Sequence, residues 1–196
     1  MSLQELWKLF PVILKDYDPA YKDWYAEEKA SLENAIGTRQ IKRLNHIGSS
    51  SVEGLIGKPT VDILLEIDKD DEIAQLTNLL NDAGWLLMSS EFETDMKLSF
   101  NKGYTPNGFA DKVFHLHVRY FGDWNELYFR DYLAENKIIA DEYGVLKKRL
   151  QKEFEHDRDG YTNAKSDFII RYSKIAKRLY SNRYSDVRCK RGILFK

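Results

Sequence analysis

The sequence predicts an α/β (α+β) domain with a β-sheet in the middle of the chain and a helical C-terminal third. Runs of strand length that are rich in β-branched and aromatic residues lie between about residues 41 and 120. After Tyr120 the apolar residues recur at helical spacing instead. Helices on both sides of a central group of strands are typical of a sheet covered by helices.

The first part of the chain predicts two helices. Leu6, Leu9 and Ile13 recur at helical spacing and predict a short N-terminal helix. Asp18-Pro19 then has the residue types of a helix start, and Gly37 is a natural stop. Between them lies one apolar stripe, formed by Tyr21, Trp24, Tyr25, Leu32 and Ile36.

Five segments have the composition of strands, and they span residues 41–47, 60–67, 85–89, 96–100 and 112–120. A helix separates the second segment from the third, because Asp70-Asp71 opens an apolar helical repeat that Gly84 closes. A hairpin connection is predicted between the last two strands by a loop that contains Gly103, Pro106, Asn107 and Gly108.

Three helices are predicted after the last strand. The first spans residues 124–136, and apolar residues over 139–154 mark the second. Apolar residues over 168–179 mark the third, which we expect to begin after Gly160.

Charge is distributed unevenly along the chain. The net charge is −1, but nine Lys and Arg residues from Arg171 onward accompany a single acid, Asp186. We predict one domain over residues 1–180, helical from about residue 123, and a basic tail over residues 181–196 of the kind that is often poorly ordered. A solvated surface explains the basic end, and contact with RNA or another polyanion is the alternative.

Composition excludes several classes of protein. With 43% hydrophobic and 31% charged residues, the chain is balanced like a globular domain and unlike a disordered or fibrous one. The single cysteine, Cys189, excludes an intrachain disulfide and a cysteine-based metal site. We find no signal peptide and no window of the ~20 apolar residues that a membrane helix requires. We therefore expect a cytoplasmic protein without a membrane partner.

The most informative stretch is HIGSSSVEGLIGKPTVDILLEI, residues 46–67. Its GSSS turn, residues 48–51, presents successive backbone N–H groups and hydroxyls that suit an anionic phosphate. In the strand that follows, alternation places Asp62, Leu64 and Glu66 on one face. Mg²⁺ is commonly held by one or two carboxylates together with substrate phosphates. The stretch predicts a phosphate-and-metal site, while a short serine-capped helix beside a surface acid fits the residues equally well.

Other polar residues fit the same chemistry. His115 and His117 alternate with apolar residues, so both imidazoles fall on one strand face and could share a metal or a phosphate with Asp62. Lys58 in the loop before the strand and Arg130 on a helix have side chains suited to phosphate. Each residue also has a plain alternative as a surface histidine or as a weak surface ion pair.

The stretch also resembles a known family motif. IGS at residues 47–49, twelve intervening residues and Asp62-Ile63 are similar to the signature of the nucleotidyltransferase (polymerase-β-like) superfamily. More closely, the whole of residues 46–67 resembles the defining motif of the GrpB family. Two later stretches agree with that family, FHLHVRY at residues 114–120 and LYFRDYLAENKIIADEYGVLKKRL at residues 127–150.

The resemblance implies a nucleotidyltransferase-like mixed β-sheet flanked by helices, a nucleotide or other phosphorylated ligand, and Mg²⁺ or Mn²⁺. It also implies that Lys147 and Lys165 face the cleft. The candidate phosphate-binding residues are then Gly48, Ser49, Ser50, Lys58, Arg130, Lys147 and Lys165. The candidate metal ligands are Asp62, Glu66, His115 and His117, of which Asp62 and His117 are also the candidate catalytic residues.

One position departs from the superfamily pattern. Active members carry two acids one residue apart, whereas position 64 is Leu. Glu66 lies roughly 6–7 Å further along the same face, and a pair of ions ~3.5–4 Å apart requires closer carboxylates. The leading hypothesis is nevertheless metal-dependent nucleotidyl transfer to an unknown acceptor, with Glu66 or His117 replacing the second acid. The alternative is an inactive nucleotide-binding or chaperone-like module, as in GrpB-like domains fused to dephospho-CoA kinases.

Overall fold

The structure, a computed structural model, describes residues 3–181 and 183–185. Its strands are β1 (Arg43–Ile47), β2 (Val61–Ile67), β3 (Leu86–Glu91), β4 (Lys97–Thr105) and β5 (Gly108–Tyr120). Its helices are α1 (Leu3–Leu9), α2 (Ala20–Ile36), α3 (Ile73–Asp82), α4 (Asn125–Glu135), α5 (Lys137–Glu153), α6 (Arg158–Asn163) and α7 (Ser166–Tyr180). The predicted α+β architecture with a helical C-terminal third is confirmed. No helix in the described part of the chain is long and apolar enough to cross a membrane.

The five strands form one mixed sheet in the spatial order β1-β2-β5-β4-β3. Only β2 and β5 pair in parallel, and this register puts Asp62 beside His115 and Leu64 beside His117. On the other edge of β2, Asp62 lies beside Ile47, the last residue of β1. Because paired residues on adjacent strands point to the same face, the acid and both histidines share one face, as the alternation predicted.

The two faces of the sheet are covered by different helices. Ile63, Leu65 and Leu116 point away from Asp62 and are fully buried in the main core beneath α2 and α3. Burial of each such side chain stabilises the fold by roughly 1.5–3 kcal/mol. On the opposite face, α4 packs its buried Leu127 against Leu64. The apolar side of β2 therefore anchors the sheet, and its other side carries the polar residues.

The predicted hairpin loop is longer than the observed one. Both strands continue through the predicted loop, so only Pro106 and Asn107 lie between β4 and β5. Gly103 lies at an irregularity in the β4–β5 register with φ +89°, where a Cβ would collide with the Lys112 carbonyl. This glycine therefore marks a bulge within the strand.

The predicted third C-terminal helix is α7, which begins at Ser166 and therefore after Gly160, as predicted. A further short helix, α6, was not predicted, and Asp157 caps it by accepting a hydrogen bond from the Gly160 N–H at 2.8 Å. The chain then turns at Ala164 and Lys165 before α7 begins. The turn brings the Lys165 ammonium over the ring of Tyr161, 4.1 Å from its centroid.

The beginning of the predicted basic tail packs on α4. Arg183 donates to Asp131 at 2.8 Å, and the ring of Tyr184 lies 5.1 Å from that of Tyr128. Most of the tail, residues 186–196, lies outside the described residues. The RNA contact predicted for it therefore stays a prediction.

A buried ion pair fastens β1 to the end of β2. Glu66 is fully buried, and its carboxylate accepts two hydrogen bonds from Arg43 at 2.5 and 2.6 Å. The Gly122 N–H donates to the same carboxylate at 3.1 Å. Glu66, a predicted metal ligand, thus neutralises an arginine in this structure.

Replacing Glu66 with Gln should destabilise the protein far more than the same change at Glu33. Glu33 forms an exposed pair with Lys29, and such pairs are worth only about 0–1 kcal/mol. Arg43 is largely buried, and removing the charge of Glu66 leaves it without a counter-ion. This should lower the free energy of unfolding by about 3 kcal/mol. Urea unfolding of both variants measures the difference, and equal losses would contradict the structural role given to Glu66.

Candidate functional site

A cleft of about 520 Å³ opens between the sheet face that carries Asp62 and the C-terminal helices. The turn after β1 and strands β2 and β5 line one side, and residues of α4, α5, α6 and α7 line the other. Nine predicted site residues line it, namely Gly48, Ser49, Lys58, Asp62, His115, His117, Arg130, Lys147 and Lys165. The structure therefore brings together residues that are up to 117 positions apart, from Gly48 to Lys165.

Gly48 is the point where the GSSS turn and the acid meet. Its φ is +70°, a conformation that residues with a Cβ rarely adopt. A Cβ on Gly48 would also collide with the Asp62 carboxylate, whose Oδ2 is the nearest atom. Glycine at this position therefore lets the carboxylate lie directly against the turn. This contact gives a geometric reason for the short spacing between the turn and the acid.

A chain of hydrogen bonds holds the other oxygen of Asp62. His115 Nδ1 lies 3.1 Å from Asp62 Oδ1. On the far side of the ring, His115 Nε2 lies 2.8 Å from the Tyr104 hydroxyl, and Arg158 Nη2 donates to that hydroxyl at 2.8 Å. Because an ionised carboxylate can only accept, Nδ1 carries the proton and Nε2 accepts from Tyr104. Both ring nitrogens of His115 are therefore engaged within the protein.

The pKa values of this pair agree with that arrangement. Burial lowers the pKa of His115 below its usual value in spite of the attraction of Asp62, so the imidazole is neutral at pH 7. Burial alone would raise the pKa of Asp62, but the hydrogen bond from His115 and the proximity of His117 lower it below its ordinary value. Asp62 is therefore an anion at neutral pH.

His117 is the histidine that remains available to a ligand. Its Nε2 lies 3.9 Å from Asp62 Oδ1, which is beyond hydrogen-bonding distance. Its side chain is 29% exposed and borders the cleft. Within the described part of the chain, no hydrogen bond engages its ring. His117 can therefore accept a proton from a bound molecule or contact it directly.

Lys147 reaches the turn from α5. It is almost fully buried, and its ammonium donates to Ser49 Oγ at 2.9 Å and to the Ile56 carbonyl. The same nitrogen lies 4.6 Å from the ring centroid of Tyr143. Lys147 therefore fixes the Ser49 hydroxyl beside Gly48.

Two further lysines approach Asp62 without a hydrogen-bond acceptor. The ammonium groups of Lys165 and Lys58 lie 4.1 and 5.8 Å from the ring centroid of Tyr161. Neither ammonium donates a hydrogen bond to any residue that the structure describes. Both side chains are half-buried, and cations withdrawn from water are normally paired, so this arrangement favours an anionic ligand.

Burial lowers the pKa of all three lysines. The pKa falls to about 7 for Lys147 and Lys165 and to about 8 for Lys58, with repulsion from neighbouring cations adding to the effect and Asp62 opposing it. An anion bound among these groups would favour their charged forms and raise the pKa values again.

Arg130 lines the cleft, but most of its donors are already used. Its Nε donates to Asp131 at 2.8 Å, and its Nη2 donates to the Tyr184 hydroxyl at 2.9 Å. Its Nη1 donates to the Asn45 side chain and the His46 carbonyl, both at 3.1 Å. In this arrangement Arg130 ties α4 to β1, and phosphate contact would require it to exchange one of these partners.

Two predicted site residues do not line the cleft. Ser50 is buried, and its hydroxyl lies 3.0 Å from His46 Nε2. Glu66 is engaged by Arg43 at the far end of β2. Sequence reasoning placed Ser50 with its neighbours in the turn, but the 3-10 turn at Ser49–Ser51 points its side chain inward.

Sequence reasoning missed the aromatic wall formed by Tyr143 and Tyr161. Both side chains are nearly fully buried, so their helical spacing indicated core residues. Each precedes a cleft lysine by four positions, as Tyr143–Lys147 and Tyr161–Lys165. Tyr143 and Lys147 share a face of α5, whereas the turn after α6 brings Lys165 to Tyr161, and the repeated Tyr-x-x-x-Lys spacing was the available signal.

The residues present fit one metal ion that arrives with a phosphate ligand, and they do not fit a two-ion centre. No group of three or more His, Cys, Asp or Glu side chains among the described residues is arranged to hold a metal. Asp62 is the carboxylate beside the turn, and the other acid of the cleft, Glu126, lies 3.8 Å from Arg119. One carboxylate together with phosphate oxygens is a usual way to hold Mg²⁺.

Comparison with known proteins identifies the family. The family model described as "GrpB protein" matches residues 11–174 of the chain. The chain belongs to the GrpB family. It is 36% identical over 162 residues to the glutamate-rich protein GrpB of Alkalihalophilus pseudofirmus, an alignment that covers 81% of this chain and 91% of that protein. It also resembles the crystal structure of the conserved protein GrpB from Enterococcus faecalis, with 30% identity, a TM-score of 0.74, and 86% and 99% of the two chains covered.

The GrpB fold extends to polymerases. A chain from the structure of the poly(A) polymerase complex GLD-2–GLD-3 matches with a TM-score of 0.51 and 14% identity, covering 95% of this chain and 66% of that one. At this identity the likeness concerns the fold. The predicted nucleotidyltransferase-like sheet is therefore confirmed as an architecture.

We predict that Gly48→Ala destabilises the protein more than Gly54→Ala. Both glycines have positive φ values, +70° and +75°, and Gly48 also has ψ −169°, a conformation essentially confined to glycine, so alanine costs roughly 1–3 kcal/mol of backbone strain. Nothing lies within 4 Å of a Cβ on Gly54, whereas a Cβ on Gly48 meets Asp62. Overpacking at Gly48 should add about 2 kcal/mol in urea unfolding, and this excess should vanish in an Asp62→Ala background. Equal losses for the two single variants would contradict the Gly48–Asp62 contact.

Stability should rise with pH between about 7.5 and 9.5. The cleft lysines lose protons near pH 7–8 in the folded protein but near 10.5 when unfolded, so over this range the unfolded chain binds more protons. As the pH falls through the pKa values that the lysines have in the folded protein, this gain in stability is lost. Below those pKa values the lysines are protonated in both states, so they no longer make the free energy of unfolding depend on pH. Lys165→Met should reduce the slope by up to about 1.4 kcal/mol per pH unit. Lys174→Met, an exposed position on the same helix, is the control and should leave the slope unchanged in urea titrations at several pH values.

Proposed function

We propose that the cleft binds the phosphates of a nucleotide and that the protein transfers the nucleotidyl group to an acceptor. The observation that carries this proposal is the pair of half-buried lysines, Lys58 and Lys165, in the cleft that the GSSS turn lines. They have no hydrogen-bond acceptor among the described residues, and a phosphate would supply oxygens to both. Lys147 and Ser49 would complete the contact from the other side.

The charge of the cleft supports a polyanion. Four cationic side chains line it, Lys58, Arg130, Lys147 and Lys165, against the carboxylates Asp62 and Glu126. Arg130 is neutralised by the adjacent Asp131, and Glu126 lies near Arg119. Three lysines then face one acid, so a bound phosphate group lowers the electrostatic free energy of the cleft.

Asp62 is the residue proposed to hold Mg²⁺ or Mn²⁺. The ion would arrive on the phosphates of the nucleotide, and the neighbouring His117 would stay off the ion as the base for the acceptor hydroxyl. His115 is left out because both of its ring nitrogens are engaged, and Glu66 because Arg43 holds it. When bound, the ion supplies positive charge that offsets the charge on the reacting phosphate.

The chain's own groups would carry the remaining chemistry. The acceptor hydroxyl oxygen forms a bond to the α-phosphorus while the bond from that phosphorus to the bridging oxygen breaks. Pyrophosphate departs with the electron pair, and its charge is stabilised by Lys58 and Lys165. The hydroxyl proton passes to His117, which lies beside Asp62. A nucleotide ligand agrees with the cytoplasmic location that we expect from the single cysteine.

A second candidate function is nucleotide binding without transfer, in a chaperone-like or other interaction module with a protein partner. The observation that favours it is Leu64, which is fully buried against Ile47 and Leu127 where the superfamily places its second acid. Labelled triphosphates with Mn²⁺ and cell extract separate the two functions. Metal-dependent transfer of label supports the enzyme, and stoichiometric capture of one protein partner without transfer supports the module.

Calorimetry with ATP tests the proposed site. Wild-type protein should bind ATP with Mg²⁺, and Lys165→Met should weaken binding at least tenfold, because one charge-assisted hydrogen bond to phosphate is worth about 1.5–3 kcal/mol. Lys174→Met should bind normally. The binding heat at pH 8 should depend on the buffer, since phosphate raises the lysine pKa values and protons are taken up.

The Asp62→Ala variant isolates the metal in the same assay. It should bind ATP equally well with and without Mg²⁺, whereas wild-type affinity should depend on the metal. Metal-dependent binding that persists in Asp62→Ala would sink the proposed role of this carboxylate.

A further inference from the structure

A second pocket, of about 310 Å³, adjoins the cleft at Lys58, whose side chain lines both. It lies among the segment before α2, α2 itself and the first half of β5. Three aromatic side chains, Tyr21, Trp24 and Phe109, contribute to its walls. Flat apolar walls of this kind suit a planar ring more than a flexible polar chain.

The pocket also carries cations that lack a carboxylate partner. Arg158 donates to the Tyr104 hydroxyl at 2.8 Å and weakly to the Phe10 carbonyl at 3.4 Å. Within the described part of the chain, no carboxylate forms an ion pair with Arg158 or with Lys58. Three cations line the pocket, Lys15, Lys58 and Arg158, against two acids, Asp18 and Asp111. Asp18 also accepts a hydrogen bond from the Ala20 N–H at 2.9 Å. Arg158 and Lys58 can therefore pair with an anionic group on a bound molecule.

The two pockets are also connected by hydrogen bonds. Arg158 lines the second pocket, and its partner Tyr104 bonds to His115, which in turn bonds to Asp62 in the cleft. Because Lys58 lines both pockets, a molecule in the second pocket lies next to the proposed phosphate site. Transfer requires the reacting atoms to approach within about 3–3.5 Å, so the acceptor hydroxyl would extend past Lys58 into the cleft.

We infer that the second pocket binds the acceptor of the transfer, a small molecule with a planar ring, one anionic group and the hydroxyl that attacks the α-phosphorus. The ring would lie among Trp24, Tyr21 and Phe109, and the anionic group would pair with Arg158, which leaves Lys58 to the phosphates of the nucleotide. The acceptor role rests on the proposed function, whereas ring-and-anion binding stands on the pocket alone. Carboxylate and phosphate offer the same charge, so both are tested as the anion.

The test uses three probes with the full chain: 4-hydroxybenzoate, phenyl phosphate and the uncharged benzyl alcohol. Saturation-transfer NMR titrations should show at least one of the two anions binding tenfold or more tightly than benzyl alcohol. Ala110→Trp should abolish this binding, because Ala110 is an exposed wall residue and tryptophan there fills the pocket without disturbing the core. Arg158→Gln should weaken it tenfold or more, while Lys174→Met, at an exposed position that lines neither pocket, should leave it unchanged.

The outcomes separate this inference from the proposed function. Anion binding that survives Ala110→Trp, or no preference over benzyl alcohol, overturns the second site whether or not ATP binds. Competition between ATP and the probe also overturns it, because the probe would then occupy the cleft. Simultaneous binding of probe and Mg-ATP supports the acceptor role. Probe binding in a protein that does not bind ATP removes the acceptor role and the proposed function together.

Discussion

The contact between the Asp62 carboxylate and the Cα of Gly48 is the constraint on which the site depends. It places an anion against the backbone of the GSSS turn. Only the hydrogen of a glycine fits between the Cα of residue 48 and the Asp62 carboxylate. The β1–β2 register enforces it, because Ile47 pairs with Asp62 and the turn begins one residue later. Every other group of the cleft is arranged around this point: His115 holds one carboxylate oxygen, and the lysines face it from three separate segments.

The cleft is held in an unfavourable electrostatic state by the rest of the fold. Three lysines share one anion, two of them lie near a single tyrosine ring, and burial lowers the pKa of all three. Proteins keep such arrangements where function needs them, and the surrounding core supplies the stabilisation. Here the apolar side of the sheet does so, with Ile63, Leu65 and Ile67 fully buried in the same strand that carries Asp62.

Much of the fold was predictable because local patterns determine it. The strand alternation around Asp62 and the histidines follows from the pleat, and the parallel pairing of β2 with β5 turned two separate patterns into one face. The parts that were not predictable depend on tertiary contacts. The sequence places Glu66 on the same face as Asp62 but does not show that Arg43 forms an ion pair with it. The three consecutive serines also do not show that the Ser50 side chain points inward. Tyr104 and Arg158 enter the site through a bulged hairpin and a helix break, and neither was predicted.

The low proton affinity of the cleft lysines has a chemical consequence beyond binding. An amine with a pKa near 7 is substantially unprotonated at physiological pH, and an unprotonated amine is a nucleophile. Lys165 therefore combines reactivity with partial access to solvent, whereas Lys147 is shielded by its burial. Acylating reagents and aldehydes would modify Lys165 at a pH where ordinary surface lysines are inert. A phosphate on that ammonium would protect it, so the extent of its modification reports whether the cleft is occupied.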